Sequence, residues 1–464
     1  MMQFISRHLA YPLWEIKEGS ERLRELKRLE VSQFWPRSRI EQLQLQRLQD
    51  IVRHAANTCD FYRESYGCLG VGSIEKLSDL ARLPLVSKED IRSQSDRFLS
   101  DSPGSGKLFE ARTGGSTGRA LTVFFDKRCQ EFRNAAAMRS DRWAGRDLGV
   151  RTAAIWGNPP VDLSIKDRIR NALLSRLIYL DTMSLNERSV EGFVRLWRKY
   201  RPKVIFGHSH SIYMLACYLK MQGITDVKPE GIISTSMMLL EPERKVIEAV
   251  FDCPVTNRYG CEEVGLIAAQ CPQHEGLHVN WEHVIVECLR DDGQPASTGE
   301  EGQLVITDLI NRAMPLIRYR IEDVAVWSAR QCGCGRPAPM LERIVGRVAD
   351  FLVKNDGTLV AGVSLVERTL TKIAGIDQMQ IVQETLNDIV LNVVPGAEYT
   401  QTSETQLIQE FRLVFGTEPA VTVNKLEALT QTAAGKYRFA ICKVAALAGA
   451  GRAAQSSGTS EVRP

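Results

Sequence analysis

Five stretches of this sequence combine residue types that chemistry needs. Thr113-Gly114-Gly115-Ser116-Thr117-Gly118 sets three glycines among three hydroxyls. Glycines remove side-chain bulk, so backbone N–H groups can close around phosphate oxygens. No Gly-Lys-Ser/Thr follows at the Walker spacing, and taken alone a plain glycine turn is the better account. Arg258-Tyr259-Gly260-Cys261-Glu262-Glu263 follows the apolar run CPVTN. There an aromatic ring can stack on a purine and a carboxylate can hold Mg2+ beside phosphates; a loop with a solvated acidic pair reads the same. Met314 to Asp323 (MPLIRYRIED) places Asp323 where a strand VAVW begins. A carboxylate there can accept both hydroxyls of a ribose, or simply pair with Arg318 or Arg320. Gly346-Arg347-Val348-Ala349-Asp350 sits at a shift in composition and suits a linker. Gly435-Lys436 offers a point charge near the end of the chain, or an exposed lysine in a turn.

A second group has metal-ligand chemistry. His274-Glu275-Gly276-Leu277-His278 matches the H-E-x-x-H pattern, which works only on a helix. Pro272 before it, Gly276 within it and strand-like alternation after it argue against that context. A closed structural site fits better: Cys271 and His278 beside the tight turn Cys332-Gly333-Cys334-Gly335. Three thiolates and one imidazole complete a tetrahedral Zn2+ site. His274 is the alternative fourth ligand, and free cysteines are the alternative to any metal.

The elements that position these residues follow from periodicity. Residues 1–60 read as mostly helical, with Leu43, Leu45, Leu48, Ile51, Val52 and Ala55 near one face of a helix ending at about Asn57. Pro84 marks a turn, and Ser87 with Asp90 forms a capping box that opens another helix. From about 110 to 260, the strand-like runs TAAIW, VIFG, GIIST and CPVTN alternate with helical stretches near 131–145, 165–176, 211–222 and 241–250. That alternation predicts an α/β region. Strands dominate from 278 to 329, including LHVNWEHVIVECL as one run, QLVITDL and DVAVWS. After about 350 a smaller α+β pattern follows: FLV, MQIVQE and DIVLNVV as strands, SETQLIQEFRLVF as a helix. The small polar tail from 449 to 464 is expected to be disordered.

The 464 residues carry 44% hydrophobic and 25% charged side chains and a formal net charge of +3, which points to neither a nucleic-acid nor a membrane surface. No apolar run approaches the roughly 18 residues of a membrane span, and the N-terminus lacks the pattern of a signal peptide. The 11 scattered cysteines then fit a reducing, cytoplasmic compartment.

In this order and at these separations, the motifs resemble the adenylate-forming superfamily of acyl-CoA synthetases, in the phenylacetate–CoA ligase-like branch that includes CapK-type proteins. The resemblance runs from about Gln42 to Val444 and includes RHAANTCDFYRE, LPLVSKEDI, IISTSMMLLEPERKVIEAVF, GLHVNWEHVIVE and CGCGR. It implies a large N-terminal AMP-binding domain, 1–346, and a smaller mobile α+β C-terminal domain, 347–448. It implies ATP-dependent activation of a small carboxylic acid to an acyl-AMP. Thr113, Ser116, Thr117 and Gly118 would hold the ATP phosphates, and Tyr259 and Gly260 the adenine. Glu263 would bind Mg2+, and Asp323 the ribose, with Arg347 close by. Asp350 would be the hinge, and Lys436 would contact the acyl carboxylate and α-phosphate. Some relatives that keep both cysteine stretches bind zinc through them, so the resemblance implies a structural Zn2+ here.

The match has departures. Arg119 stands where many relatives have Lys, and Glu262 where Ser or Thr is usual. The stretch DGTLVAGVSLVERTL resembles CapK-like proteins of polysaccharide biosynthesis more than phenylacetate ligases. The acceptor implied is therefore coenzyme A, or an amine or sugar; a non-catalytic scaffold of the same fold is the third reading. Phe206-Gly207-His208-Ser209-His210-Ser211 falls where relatives line the acid pocket. His208 or His210 would meet the substrate there, whereas helix capping by Ser209 or Ser211 explains the same residues without a substrate.

Overall fold

A computed structural model of the chain describes residues 2–68, 74–102, 108–113, 121–157, 164–290, 292–345, 351–429 and 440–444. Ser116, Thr117, Gly118, Arg347, Asp350 and Lys436 lie outside the described residues, as does the tail 449–464. In chain order the principal elements are α1 (Arg22–Ser32), α2 (Arg37–Thr58), α3 (Asp60–Cys68), β1 (Phe109–Thr113), β2 (Leu121–Phe125), α4 (Lys127–Trp143), β3 (Thr152–Trp156), β4 (Leu177–Asp181), α5 (Glu187–Tyr200), β5 (Val204–His208), α6 (Ser209–Met221), β6 (Gly231–Thr235) and α7 (Glu241–Phe251). There follow β7 (Val255–Cys261), β8 (Gly265–Gln270), β9 (Leu277–Val279), β10 (Val284–Leu289), β11 (Glu301–Asp308), β12 (Tyr319–Trp327) and β13 (Met340–Val345). The C-terminal part holds β14 (Phe351–Val353), β15 (Leu359–Ala361), α8 (Gly362–Lys372), β16 (Ile376–Thr385), β17 (Asp388–Pro395), α9 (Gln401–Phe415), β18 (Ala420–Lys425) and β19 (Ala440–Cys442). Among the described residues, no helix is long and apolar enough to cross a membrane.

These elements form two compact units. One draws on 2–113, 121–149 and 256–345, the other on 150–255 and 351–444. In the first unit the strands run in the order β10-β11-β12-β13-β9-β8-β7, each antiparallel to its neighbour. Ile40, Leu48, Ile51, Val52 and Ala55 line one face of α2 and join Val279, Trp281, Leu304, Ile306 and Tyr319 in one core. Leu48, Ile51, Val52 and Ala55 are the face read from the sequence; Ile40 extends it, Leu45 packs at its edge, Leu43 is only partly buried, and α2 ends at Thr58. The Ser87–Asp90 capping box is present: the Asp90 N–H donates to Ser87 Oγ at 3.1 Å, and the Ser87 N–H donates to Asp90 Oδ2 at 2.8 Å.

Two sequence expectations need correction in this unit. LHVNWEHVIVECL is two strands, β9 and β10, separated by a turn at 280–283. The turn forms because Asn280 and Glu282 leave the ladder for buried partners. Arg139 of α4 donates to Asn280 Oδ1 at 2.9 Å and to both Glu282 carboxylate oxygens at 2.9 and 3.0 Å. Asp323 does not begin a strand either: β12 starts at Tyr319, and Asp323 lies within it. The expectation missed this because Glu322 adopts φ +68°, a left-handed kink inside the strand.

In the second unit β6-β5-β3-β4 form a parallel sheet. TAAIW, VIFG and GIIST are β3, β5 and β6, buried runs flanked by helices as the α/β reading requires. One face packs on the helices through Ala153, Ile155, Ile178, Leu180, Ile205 and Ile232. Val190, Phe193, Val194 and Trp197 bury one stripe of α5 against them. The C-terminal residues of this unit carry a sheet in the order β18-β17-β16-β19, with α8 and α9 packed through Leu365, Leu370, Leu407 and Phe411. Met183 joins that core, and Asn186 Nδ2 donates to Thr358 Oγ1 at 2.8 Å.

Tyr62 shows how firmly the first unit holds the segment leading into β12. Its buried hydroxyl donates to the Pro315 carbonyl at 2.9 Å and accepts from the Ile317 N–H at 3.2 Å. Tyr62→Phe should lower the free energy of unfolding by about 1–3 kcal/mol, because two buried backbone groups lose their partner. Urea denaturation followed by circular dichroism measures it.

Candidate functional site

Tyr259 and Asp323 come from motifs 64 residues apart, and the first unit joins them. Tyr259 Oη donates to Asp323 Oδ2 at 2.7 Å. Both side chains are half-buried. The alternative that Asp323 pairs with Arg318 fails on geometry. Arg318 turns to Glu287, with Nε and Nη2 at 3.1 and 2.9 Å from its two oxygens. Its Nη1 also donates to the carbonyls of Ala81 and Leu83. Asp323 is thus a carboxylate held by one phenol, with acceptor capacity left for hydroxyl donors.

Gly260 is needed by close approach. A Cβ there would lie 2.5 Å from the Gly265 carbonyl oxygen, where β7 and β8 change register. This pinch leads into the turn that carries Glu262 and Glu263. Glu263 is only 4% exposed, and its Oε1 accepts from Tyr319 Oη at 3.1 Å. Burial, with the Glu263 carboxylate beside it, holds the Tyr319 hydroxyl well above the usual phenol range, so it stays a donor. The turn is fixed from below by Arg133 of α4, which donates to the main-chain carbonyls of Glu262 and Glu263 and lies 3.4 Å from Asp308. A hard oxygen donor on a rigid turn fits Mg2+, which is commonly held by one or two carboxylates plus substrate phosphates.

Two residues absent from the sequence reading belong to this setting. Tyr319 lay within a quoted motif but had no role, and Arg133 carried no local signal, being more than a hundred residues from its partners. Lys88 is a further case. It follows the capping serine, is 1% exposed, and its Nζ lies 3.1 Å from Glu322. Thr113 ends β1.

Elsewhere in the first unit Cys271, His278, Cys332 and Cys334 converge, their ligand atoms all within 4.8 Å of one another. Cys271 Sγ lies 3.4 Å from Cys332 Sγ, and Cys334 Sγ lies 3.4 Å from His278 Nε2. Cys271 follows β8, His278 lies in β9, and the other two come from the loop between β12 and β13. Desolvation, then the Arg336 cation, pushes the His278 imidazole down to about 4, so at neutral pH it presents a lone pair. The Gln273 and Arg336 N–H groups point at Cys271 and Cys334 sulfurs at 3.4 and 3.5 Å, as thiolates require. The donor set fits a tetrahedral zinc ion. His274 is not in the group; it sits in the preceding turn at φ +53°. H-E-x-x-H is a turn and a strand here, not a helix.

In the second unit His208 ends β5, and His210 is the second residue of α6. His210 Nδ1 lies 2.5 Å from Glu243 Oε1. Ser209 Oγ shares a 2.5 Å hydrogen bond with Ser234 Oγ and donates to the Met237 carbonyl. Neither serine caps α6: its N-cap is His208, without a side-chain cap bond.

Comparison with known proteins follows the same lines. A family model described as the CapK C-terminal domain matches residues 352–443. Protein CapK of Staphylococcus aureus is 24% identical over 408 residues, covering 86% of this chain and 88% of the relative. The phenylacetate–coenzyme A ligase of Thermus thermophilus is 26% identical, covering 68% and 72%. Among solved structures, 2-hydroxyisobutyryl-CoA ligase in complex with 2-HIB-AMP and CoA aligns at a TM-score of 0.58 with 18% identity, over 91% of this chain and 94% of that one.

Gly260→Ala should lower stability by about 1–3 kcal/mol, because overpacking against backbone leaves nothing flexible to yield. Thermal melting of the variant checks it, with Gly67→Ala, an open position that likewise has no positive φ, as the control.

Proposed function

As a relative of CapK and of the phenylacetate–coenzyme A ligases, the chain has the fold of adenylate-forming ligases, and we propose that it activates a carboxylic acid with ATP and passes the acyl group to coenzyme A. A carboxylate oxygen attacks the α-phosphorus and pyrophosphate leaves. The coenzyme A sulfur then attacks the acyl carbonyl, and AMP leaves. No covalent protein nucleophile is needed, so the protein's task is to position reactants and to stabilise charge.

The observation that carries this reading is the hydrogen bond between Tyr259 and Asp323, with Glu263 held on the adjoining turn. One phenol, one half-buried carboxylate and one buried carboxylate suit an adenine, a ribose and a metal-bound phosphate. Asp323 accepts ribose hydroxyls on the oxygen capacity that Tyr259 leaves. Tyr259 and Gly260 flank the adenine. Glu263 holds Mg2+, which when bound neutralises phosphate charge as pyrophosphate departs. Thr113, Ser116, Thr117 and Gly118 cradle phosphates, and Arg347 lies near the ribose. The smaller domain, 347–448, turns about Asp350 to bring Lys436 to the first step and withdraw it for the second. That motion has to break the Asn186–Thr358 hydrogen bond and move Leu352 away from Met183.

Zinc is structural in this reading. Four protein ligands close its coordination sphere and leave no position for a substrate. The ion ties the end of β8 and β9 to the loop before β13.

Lys436→Ala should slow acid-dependent ATP–pyrophosphate exchange by about a hundredfold or more, on the order of 3 kcal/mol, as loss of a charge-stabilising donor does. Thioester formation from a supplied acyl-AMP should fall far less. Unchanged exchange in the variant would remove Lys436 from the first step, and absence of exchange in the wild type across a panel of aryl and aliphatic acids would remove the adenylation reading. AMP release that responds to an amine or sugar but not to coenzyme A would replace the acceptor.

Metal analysis of protein purified without chelator should find about one zinc per chain, and Cys332→Ser should lower the melting temperature before it changes exchange rates. Metal-free protein with full stability would exclude the site.

A further inference from the structure

Three helices of the first unit each bring one arginine to the pair formed by Glu25 and His283. Arg28 of α1 holds the Glu25 carboxylate through two donors, with Nε at 2.7 Å. Arg47 of α2 brings Nη2 to 4.0 Å from Glu25 Oε1, the oxygen that His283 Nε2 meets at 2.7 Å. Arg128 of α4 lies over the Phe132 ring, 4.6 Å from its centroid, and Phe132 stacks on His283 at 5.8 Å.

Acids do not match these cations. Glu25 is shared by Arg28 and Arg47, and the neighbouring Glu282 is taken by Arg139 and Ser32. Desolvation pushes the His283 imidazole down to about 4, so it is neutral at physiological pH. Arg28, Arg47, Arg128 and Arg139 thus stand against Glu25 and Glu282 alone. Arg47 is only 15% exposed, yet its one hydrogen bond among the described residues runs from Nη1 to the Glu282 carbonyl at 2.8 Å. Burial, then the Arg28 cation, pulls the Arg47 guanidinium down to about 10 against the opposing effect of Glu25, and Arg128 adds to the fall. Arg128 makes no hydrogen bond or ion pair among the described residues. The aromatic face holds its guanidinium and leaves the N–H donors open. It also stands in the first turn of α4, where the helix dipole disfavours a cation. Lys127 beside it offsets the same cost on the carbonyls of Glu18 and Gly19; Arg128 has no such partner.

We infer that Arg28, Arg47 and Arg128 form a binding site for a phosphate group. The site goes beyond the adenylation reading and does not rest on it, since none of the three belongs to the set of Tyr259, Asp323 and Glu263. A phosphate dianion cancels both unmatched charges, whereas a carboxylate cancels one. Its oxygens accept paired donors from planar guanidiniums, which suits arginine at all three positions better than lysine. Arg28, 29% exposed, and Arg128, exposed, leave the approach from solvent open. Inorganic phosphate and the phosphate ester of a small molecule share this chemistry. Bound phosphate links α1, α2 and α4, so it raises the stability of the folded chain.

The test is calorimetric titration of the full chain with inorganic phosphate and with glycerol 3-phosphate, in chloride buffer at matched ionic strength. At least one should bind with a dissociation constant below about 1 mM and raise the melting temperature. Arg128→Gln, an exposed substitution that leaves the Glu25–His283 pair in place, should weaken that binding by about tenfold or more, and Arg47→Gln should do the same. Arg24→Gln, on the same α1 but exposed and paired with Glu21, should leave it unchanged. Circular dichroism should show the variants folded; if Arg47→Gln does not fold, Arg128→Gln carries the test alone. Binding of the ester but not of inorganic phosphate assigns the site to an organic phosphate, equal binding of both assigns it to the phosphate group itself, and either supports the site. Absence of binding by both at millimolar concentration overturns it. So does binding that survives Arg128→Gln at full strength, which places the phosphate elsewhere, or an equal loss in Arg24→Gln, which reports general surface charge.

Discussion

Arg133 is the cation on which the first unit's polar architecture rests. It is nearly inaccessible, and Gly265 leaves it room: a Cβ at that glycine would meet the Arg133 side chain at 3.0 Å. Burying a guanidinium costs several kcal/mol unless its donors are matched. The two terminal nitrogens of Arg133 meet the Glu262 and Glu263 carbonyls and the Asp308 carboxylate, and Nε alone has no partner among the described residues. Asp308 in turn accepts from the Ile310 and Asn311 N–H groups. One side chain of α4 therefore fixes both the turn that carries Glu263 and the loop that leaves β11. The acidic turn is rigid because its backbone is held, not because its side chains are paired with each other.

A second buried system, one helical face further along α4, repeats the logic. Arg139 meets Glu282 and Asn280, and Ser32 Oγ donates to Glu282 at 2.7 Å. His283 lies beside Glu25 at 2.7 Å. Removing one partner from such a set strands a buried charge, which costs far more than the set contributes as a whole. These pairs accordingly specify where β9 ends and β10 begins. The same turn places His278 at the start of that segment, next to the cysteine loop.

How far the sequence could be read depended on whether a residue's partner was near in the chain. The runs TAAIW, VIFG and GIIST were legible because strands buried on both faces are continuously apolar. LIYLD, which is β4, went unassigned although it is as long as those three strands. The stripe Val190, Phe193, Val194, Trp197 had helical spacing yet α5 went unassigned, hidden among the charges of RLWRKY. The cysteine set was visible from spacing, but only the turn geometry separates His278 from His274. Asp323 as a carboxylate of interest was legible from type and place. Its release from Arg318 was not, because that depends on Glu287, 31 residues away and on another strand. Arg133 and Lys88 gave no signal, since a lone cation in a helix looks like a solvated one until its long-range partners are known.

The strained positions point the same way. Arg318 and Glu322 both take left-handed backbone, at φ +52° and +68°, within five residues of one strand. For residues other than glycine such dihedrals cost on the order of 1–3 kcal/mol and persist only where surroundings over-determine them. Here the surroundings are identifiable. The Arg318 guanidinium is gripped by Glu287 and two carbonyls, and Glu322 is gripped by the buried Lys88 ammonium. The kink between them also separates Tyr319, which reaches Glu263, from Asp323, which reaches Tyr259. A regular strand keeps 319, 321 and 323 on one face. With Glu322 kinked, Tyr319 can serve the acidic turn while Asp323 meets the ring on β7. The strain is thus offset by two buried cations so that one strand can address two partners.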